Sequence, residues 1–276
     1  MSHEKEPKSD DVDSADAGQV MLAARLELPL AGTISPSFDW KADMVWIEGR
    51  ELEWPSLDRQ RNAASKSNLR RRCKGFRIDR TEVTNQQFAA FLSASSENLR
   101  FFDRRMDIVA VEAGQFRAVA GKEHFPVSYV DWLGAYSFAA WAGKSLPTED
   151  EWILASLGER TLQPATTMYP WGTDRPDSLK LNSFHASSLP ALMRVGSLPN
   201  GKSSTGVVDL AGNVAEWTLT GAASGKTSAA SEDWMVTKGG SYLDLPAHCS
   251  VTQRAIHHRD ERLAGLGFRC VVREKP

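Results

Sequence analysis

Cysteine is scarce in this chain. Cys73, Cys249 and Cys270 are the three, far apart and odd in number, so a disulfide framework is excluded and at least one thiol stays free. Long apolar runs are missing too. No segment reaches the ~20 residues that a membrane-spanning helix requires, and "MSHEKEPKSDDVDSADAG" has no basic region followed by an apolar core, so the sequence reads as cytoplasmic, without a secretory signal or a membrane partner. Neither sign of charge dominates: 33 Lys and Arg face 35 Asp and Glu, which gives nucleic acid nothing to bind. The short basic cluster Arg70, Arg71, Arg72 and Lys74 reads as a solvated strand entrance rather than a phosphate site. Tyrosine is rare at four, whereas tryptophan is plentiful at nine, a balance that suits large side chains wedged among irregular loops.

With 276 residues, 41% of them hydrophobic, the chain can bury a substantial core. Residues 1–17, acidic and Ser-rich, are expected to be disordered. Residues 18–42 form an N-terminal extension that reads as helix or strand, and residues 43–276 form one domain. Within it "DMVWIEG" and "GFRIDRTEV" read as strands, while residues 50–74 show no period. Thr84 is expected to cap a first helix, Ser128 with Asp131 to open a second that Gly143 stops, and Thr148 with Glu151 to open a third that ends near Gly158. From Tyr169 onward short apolar runs alternate with Gly, Pro, Ser and Asn, the pattern of a domain with much irregular backbone.

The segments "FRIDRTEVTNQQFAAFL", "PVSYVDWLGAYSFAAWAGKSLPTEDEW", "YPWG", "GVVDLAGNVAEWT", "KGGSY" and "LGFRC" occur in this order. Together they resemble the formylglycine-generating enzyme, or sulfatase-modifying factor, family over about residues 43–272. The resemblance implies a single irregular α/β domain with C-type-lectin-like topology and little regular secondary structure. It also implies a protein or peptide partner and, for an active member, copper held by two cysteines five residues apart. Laid on this chain, the first of those positions is Asp244 and the second is Cys249. A carboxylate is a hard ligand where Cu(I) prefers two thiolates, so copper is not supported.

The same resemblance makes Ser241, Asp244 and Cys249 the catalytic positions, and Trp217, Arg254 and His248 substrate-binding ones. Ala215 stands where the family usually has a cleft-lining Trp. In "DLAGNVAE" the resemblance implies a structural calcium ion held by side chains of Asp209 and Glu216 and by carbonyls of Gly212 and Val214, the oxygen set that Ca2+ prefers. Cys249 reads as a reactive thiol, with His248 or Arg254 lowering its pKa, or as an inert buried cysteine. Asp244, Cys249 and a histidine are a conceivable iron or zinc set, although His257 and His258 would face opposite sides of a strand. Two functional readings stand side by side: an oxidative modifier of a protein or peptide that lacks the two-cysteine copper site, and a non-catalytic peptide- or protein-binding module. A diversified receptor of the same fold is disfavoured, because residues 244–264 hold neither Asn nor Tyr.

Overall fold

The computed structural model describes residues 43–54, 69–112, 114–161, 168–184, 191–222 and 233–273. The tail 1–17 and the extension 18–42, with the expectations attached to them, lie outside the described residues. Where "DMVWIEG" alternates apolar and polar residues, strand β1 (Met44–Ile47) forms and buries Val45 and Ile47. The stretch 50–74, read as aperiodic, in fact holds a hairpin of β2 (Arg50–Trp54) and β3 (Leu69–Cys73). Its register sets Glu51 opposite Arg72. Opposite charges facing across an antiparallel pair stabilise it, and no hydrophobic period announces such a ribbon. The basic cluster is thus strand, and Arg71 reaches Asp150 at 3.1 Å.

Strand β4 (Phe76–Asp79) pairs antiparallel with β1, and the chain returns at its end to place β11 (Val271–Arg273) on the other side of β4. Helix α1 (Asn85–Ala94) starts at Thr84 with the full capping box, since the Thr84 hydroxyl accepts from the Gln87 N–H and the Gln87 side chain accepts from the Thr84 N–H. A short helix α2 (Asn98–Phe101) and the small hairpin β5 (Ile108–Ala110) and β6 (Phe116–Ala118) follow. Helix α3 (Trp132–Trp141) begins three residues later than the capping-box reading: Asp131, not Ser128, is the cap and accepts from the Gly134 N–H at 2.7 Å. Helix α4 (Glu149–Leu157) has the expected Thr148–Glu151 box and stops at Gly158.

Four strands complete the second half: β7 (Ala215–Gly221), β8 (Trp234–Lys238), β9 (Ala255–His258) and β10 (Leu266–Gly267), in spatial order β10-β7-β8-β9. The sequence reading gave no strand to "AEWTLTG", which is central to this sheet. Only its parallel pairing with the two-residue β10 departs from the antiparallel rule. Phe88 and Phe91 of α1 meet Phe138 and Trp141 of α3, and Phe138 is edge-on to Phe268 at 5.3 Å. Each such ring contributes ~1.5–3 kcal/mol by burial. A second core joins Trp152, Ile153 and Leu157 of α4 to Ile47, Phe76, Ile78 and Val271. Cys73 and Cys270 are separate buried thiols, as expected.

Candidate functional site

A cleft of about 510 Å³ opens over one face of the β7–β8–β9 sheet. Ala215, Thr237, Ala255 and His257 form its floor, one or two residues from each strand. Because successive strand residues point to opposite faces, His257 faces the cleft while His258 packs edge-on to Trp234 at 5.4 Å on the other side. The loop after β8, with Ser241, Leu243, Asp244 and His248, and the segment of Leu263, Gly265 and Leu266 complete the lining, and the two abut: a Cβ on Gly265 would lie 2.7 Å from the Ser241 side chain. The two glycines 239 and 240 have positive φ, 89° and 64°. At Gly240 a Cβ would lie 2.8 Å from the Cys249 Sγ, so the turn that shapes this loop requires glycine.

Asp244 is consumed by its own loop. Its Oδ2 accepts from the Ser241 N–H at 2.9 Å and from the Ser241 hydroxyl at 2.7 Å, while its own N–H donates to the Ser241 carbonyl at 3.0 Å. It locks a turn. Cys249, five residues on, ends a short 3-10 turn (Pro246–Cys249) and is fully buried against Tyr169, Leu181 and Ala211. It does not line the cleft. Burial pushes its thiol from the ordinary 9.0 up to about 12, and the nearby Asp244 charge adds to the rise. Of the two readings of Cys249 this favours the inert buried cysteine, because burial first and the Asp244 charge second raise the thiol that His248 or Arg254 would have lowered. These residues do not fit copper. Among the described residues no group of three or more His, Cys, Asp or Glu is arranged to hold a metal ion, which also leaves the iron or zinc set without its geometry.

Trp217 is fully buried, with its Nε1–H donating to the Val130 carbonyl at 2.9 Å. It stands behind His257, edge-on at 6.1 Å, so it supports the floor without touching the cleft space. Arg254 and His248 do line the cleft. The loop 209–216 lies behind it. Glu216 there accepts from Arg269 through both oxygens at 2.8 Å each, and its Oε2 also accepts from Trp152 Nε1 at 2.8 Å. Burial raises the Glu216 carboxyl and the Arg269 guanidinium pulls it back. A calcium ion on Glu216 would have to displace a fully buried ion pair, so the set Asp209, Gly212, Val214 and Glu216 does not fit that ion as placed. Gly212 has another role: with φ 78° it brings its backbone so close to Asn182 that a Cβ would sit 2.1 Å from the Asn182 carbonyl oxygen. Asp209 accepts from the Gly196 N–H at 2.5 Å. Buried Glu82 lies near it, pushed well above 4.5 by burial and by the Asp209 charge.

Three functional neighbours escaped the sequence reading. Lys238 is wholly buried; its ammonium donates to the carbonyls of Val251 at 2.9 Å and Gln253 at 2.5 Å, and it lies 3.7 Å from Glu149. Burial lowers its pKa to about 8 against the pull of Glu149. Glu149 also faces Arg254 at 3.4 Å. Glu261 holds the His257 ring by its Nδ1 at 2.8 Å. The signal for Lys238 was a lysine just before Gly-Gly; a lone lysine otherwise reads as solvated.

A model of the sulfatase-modifying factor enzyme 1-like domain matches residues 32–274. The chain belongs to that family. Serine/threonine-protein kinase Pkn1 of Chlamydia trachomatis serovar L2 is 33% identical over 63% of this chain and 27% of its own length. Inactive C-alpha-formylglycine-generating enzyme 2 of Bos taurus is 33% identical over 57% of this chain and 54% of its own. The chain thus spans between about a quarter and about half the length of these two relatives. The crystal structure of CarF superposes with a TM-score of 0.62, at 23% identity, over 84% of this chain and 98% of that one, which establishes the fold.

Proposed function

We propose that this family member is a non-catalytic binding module that recognises a peptide or a peptide-like segment of a partner protein in the cleft over the β7–β8–β9 sheet. One observation carries the reading: the thiol that would do redox chemistry is packed beneath the cleft and held protonated, while the residue in the partner position, Asp244, braces the Ser241 turn. A soft-metal site built of these two side chains would cost both the packing and the turn. The cleft itself, with polar groups among leucines, has the mixed lining of a recognition site. The relative described as inactive is compatible with loss of chemistry on a retained fold.

The test pairs binding with chemistry. The full chain and its Cys249→Ala variant are applied to a peptide array, and both are assayed for oxygen uptake with a Cys-containing peptide after anaerobic loading with copper. Equal peptide binding and no uptake are expected. Uptake by the parent that Cys249→Ala abolishes would overturn the reading and restore the oxidative one.

A further inference from the structure

The cleft carries a charge that the fold leaves unbalanced. Glu149 is a single buried carboxylate, yet two cations share its Oε1: Lys238 at 3.7 Å and Arg254 at 3.4 Å. Lys238 is buried and also satisfied by carbonyls, whereas the Arg254 side chain is about a third exposed and lines the cleft. Among the described residues Arg254 has no hydrogen bond and only this one ion-pair partner, reached through Nε. Its two terminal nitrogens, with four N–H donors, remain for a ligand. The other acids near the cleft are committed elsewhere: Asp244 to Ser241, and Glu261 to His257.

The edge strand beside Arg254 is also open. In the β8–β9 ladder the Arg259 N–H bonds to the Asp233 carbonyl at 2.7 Å, which makes Met235–His257 a hydrogen-bonded pair and Val236–Ile256 a non-bonded one. The N–H and C=O of Ile256 therefore point away from β8, toward the free edge. His258, the next residue with that orientation, is already closed off, since its N–H donates to Glu261 Oε1 at 3.2 Å and its carbonyl accepts from the Glu261 N–H at 2.9 Å. An unpaired edge next to a groove is the geometry of strand addition. Leu243 and Leu263 both line the cleft with their side chains half-exposed, placed to hold an aliphatic side chain.

Resting on the binding reading above, we infer that the ligand is an extended peptide segment that pairs with β9, sets an Asp or Glu carboxylate on Arg254 and seats an aliphatic residue against Leu243 and Leu263. A carboxylate there gives Arg254 the bidentate partner that it lacks. It also supplies the anion that the shared Glu149 cannot give twice.

An array of random decapeptides probed with the full chain, followed by fluorescence anisotropy on the selected sequences, tests this. Selected peptides should be rich in Asp or Glu near an aliphatic residue, and replacing that acid by its amide should weaken binding about tenfold, the scale of one charge-assisted hydrogen bond. Arg254→Gln should erase the difference between acid and amide peptides, and Arg254→Lys should restore part of it. Arg259→Gln removes a cation paired with Asp233 away from the cleft and should change nothing. N-methylation at alternate peptide residues should abolish binding in one phase only. Equal binding of acid and amide peptides, an indifferent Arg254→Gln variant, or tolerance of N-methylation in both phases would overturn the inference while the binding module stands. Failure of every peptide to bind would remove both.

Discussion

The inertness of Cys249 is open to a quantitative test. A thiol at the ordinary value of 9.0 is about one-tenth thiolate at pH 8; at about 12 the fraction falls to about one in ten thousand. Alkylation proceeds through the thiolate, so the native chain should react with iodoacetamide at Cys249 about a thousandfold more slowly than the same chain in urea. Packing adds to this, because the sulfur is fully buried and its weak contacts run to the carbonyls of Leu245 at 3.7 Å and Ser241 at 3.9 Å. The assay is timed alkylation at pH 8, quenched, digested and read by mass spectrometry at the peptide containing residue 249. Modification within tenfold of the urea rate would refute the argument, since it would require a thiolate that the surrounding apolar residues and Asp244 do not permit. An Asp244→Asn variant sharpens the test: removing the negative neighbour should speed alkylation only slightly if burial is the larger cause.

Further outcomes follow from other parts of the molecule. Glu216→Gln leaves the fully buried Arg269 charge without its counter-ion and should lower stability by about 3–5 kcal/mol in urea unfolding; a loss under 1 kcal/mol would refute the lock. Asp244→Ala should cost about 1–2 kcal/mol by releasing the Ser241 turn, seen as an earlier urea midpoint. Stability should fall above about pH 9. Burial raises all three thiols above the ordinary 9.0, Cys73 and Cys249 to about 12, so the stability they contribute is complete below about 9 and is lost as pH rises beyond it. Lys238, lowered to about 8, acts oppositely between about 8 and 10.5. Three groups against one leave a decline on the order of 2 kcal/mol between pH 9 and 10 and little change between pH 8 and 9, measurable by urea unfolding at pH 8, 9 and 10. Finally, calcium chloride and EGTA should give the same melting temperature, because Glu216 is held by Arg269; a rise with calcium would return that loop to metal binding.

Local signals were legible because they depend on neighbours in sequence. The Thr84 and Thr148 capping boxes each involve a residue three positions on, and the β1 and β4 alternations are written in four residues. The ordered family segments likewise pointed to the fold and to the cleft loop, with Asp244 in the place of a cysteine. The β2–β3 ribbon stayed hidden because charge pairing across strands leaves no apolar period. What the side chains of the site do was decided only in three dimensions. Glu216 looked like a calcium ligand until Arg269, 53 residues away, took both its oxygens. Trp217 looked like a substrate-binding residue until the packed neighbours covered it, with its Nε1–H on the Val130 carbonyl and the His257 ring edge-on to its own. Cys249 and Asp244, five residues apart, are separated in role because the 3-10 turn aims the sulfur inward while the carboxylate closes on Ser241. Sequence spacing sets which groups come near one another; burial, charge and side-chain direction determine which of them a ligand can reach, and those belong to the packed chain alone.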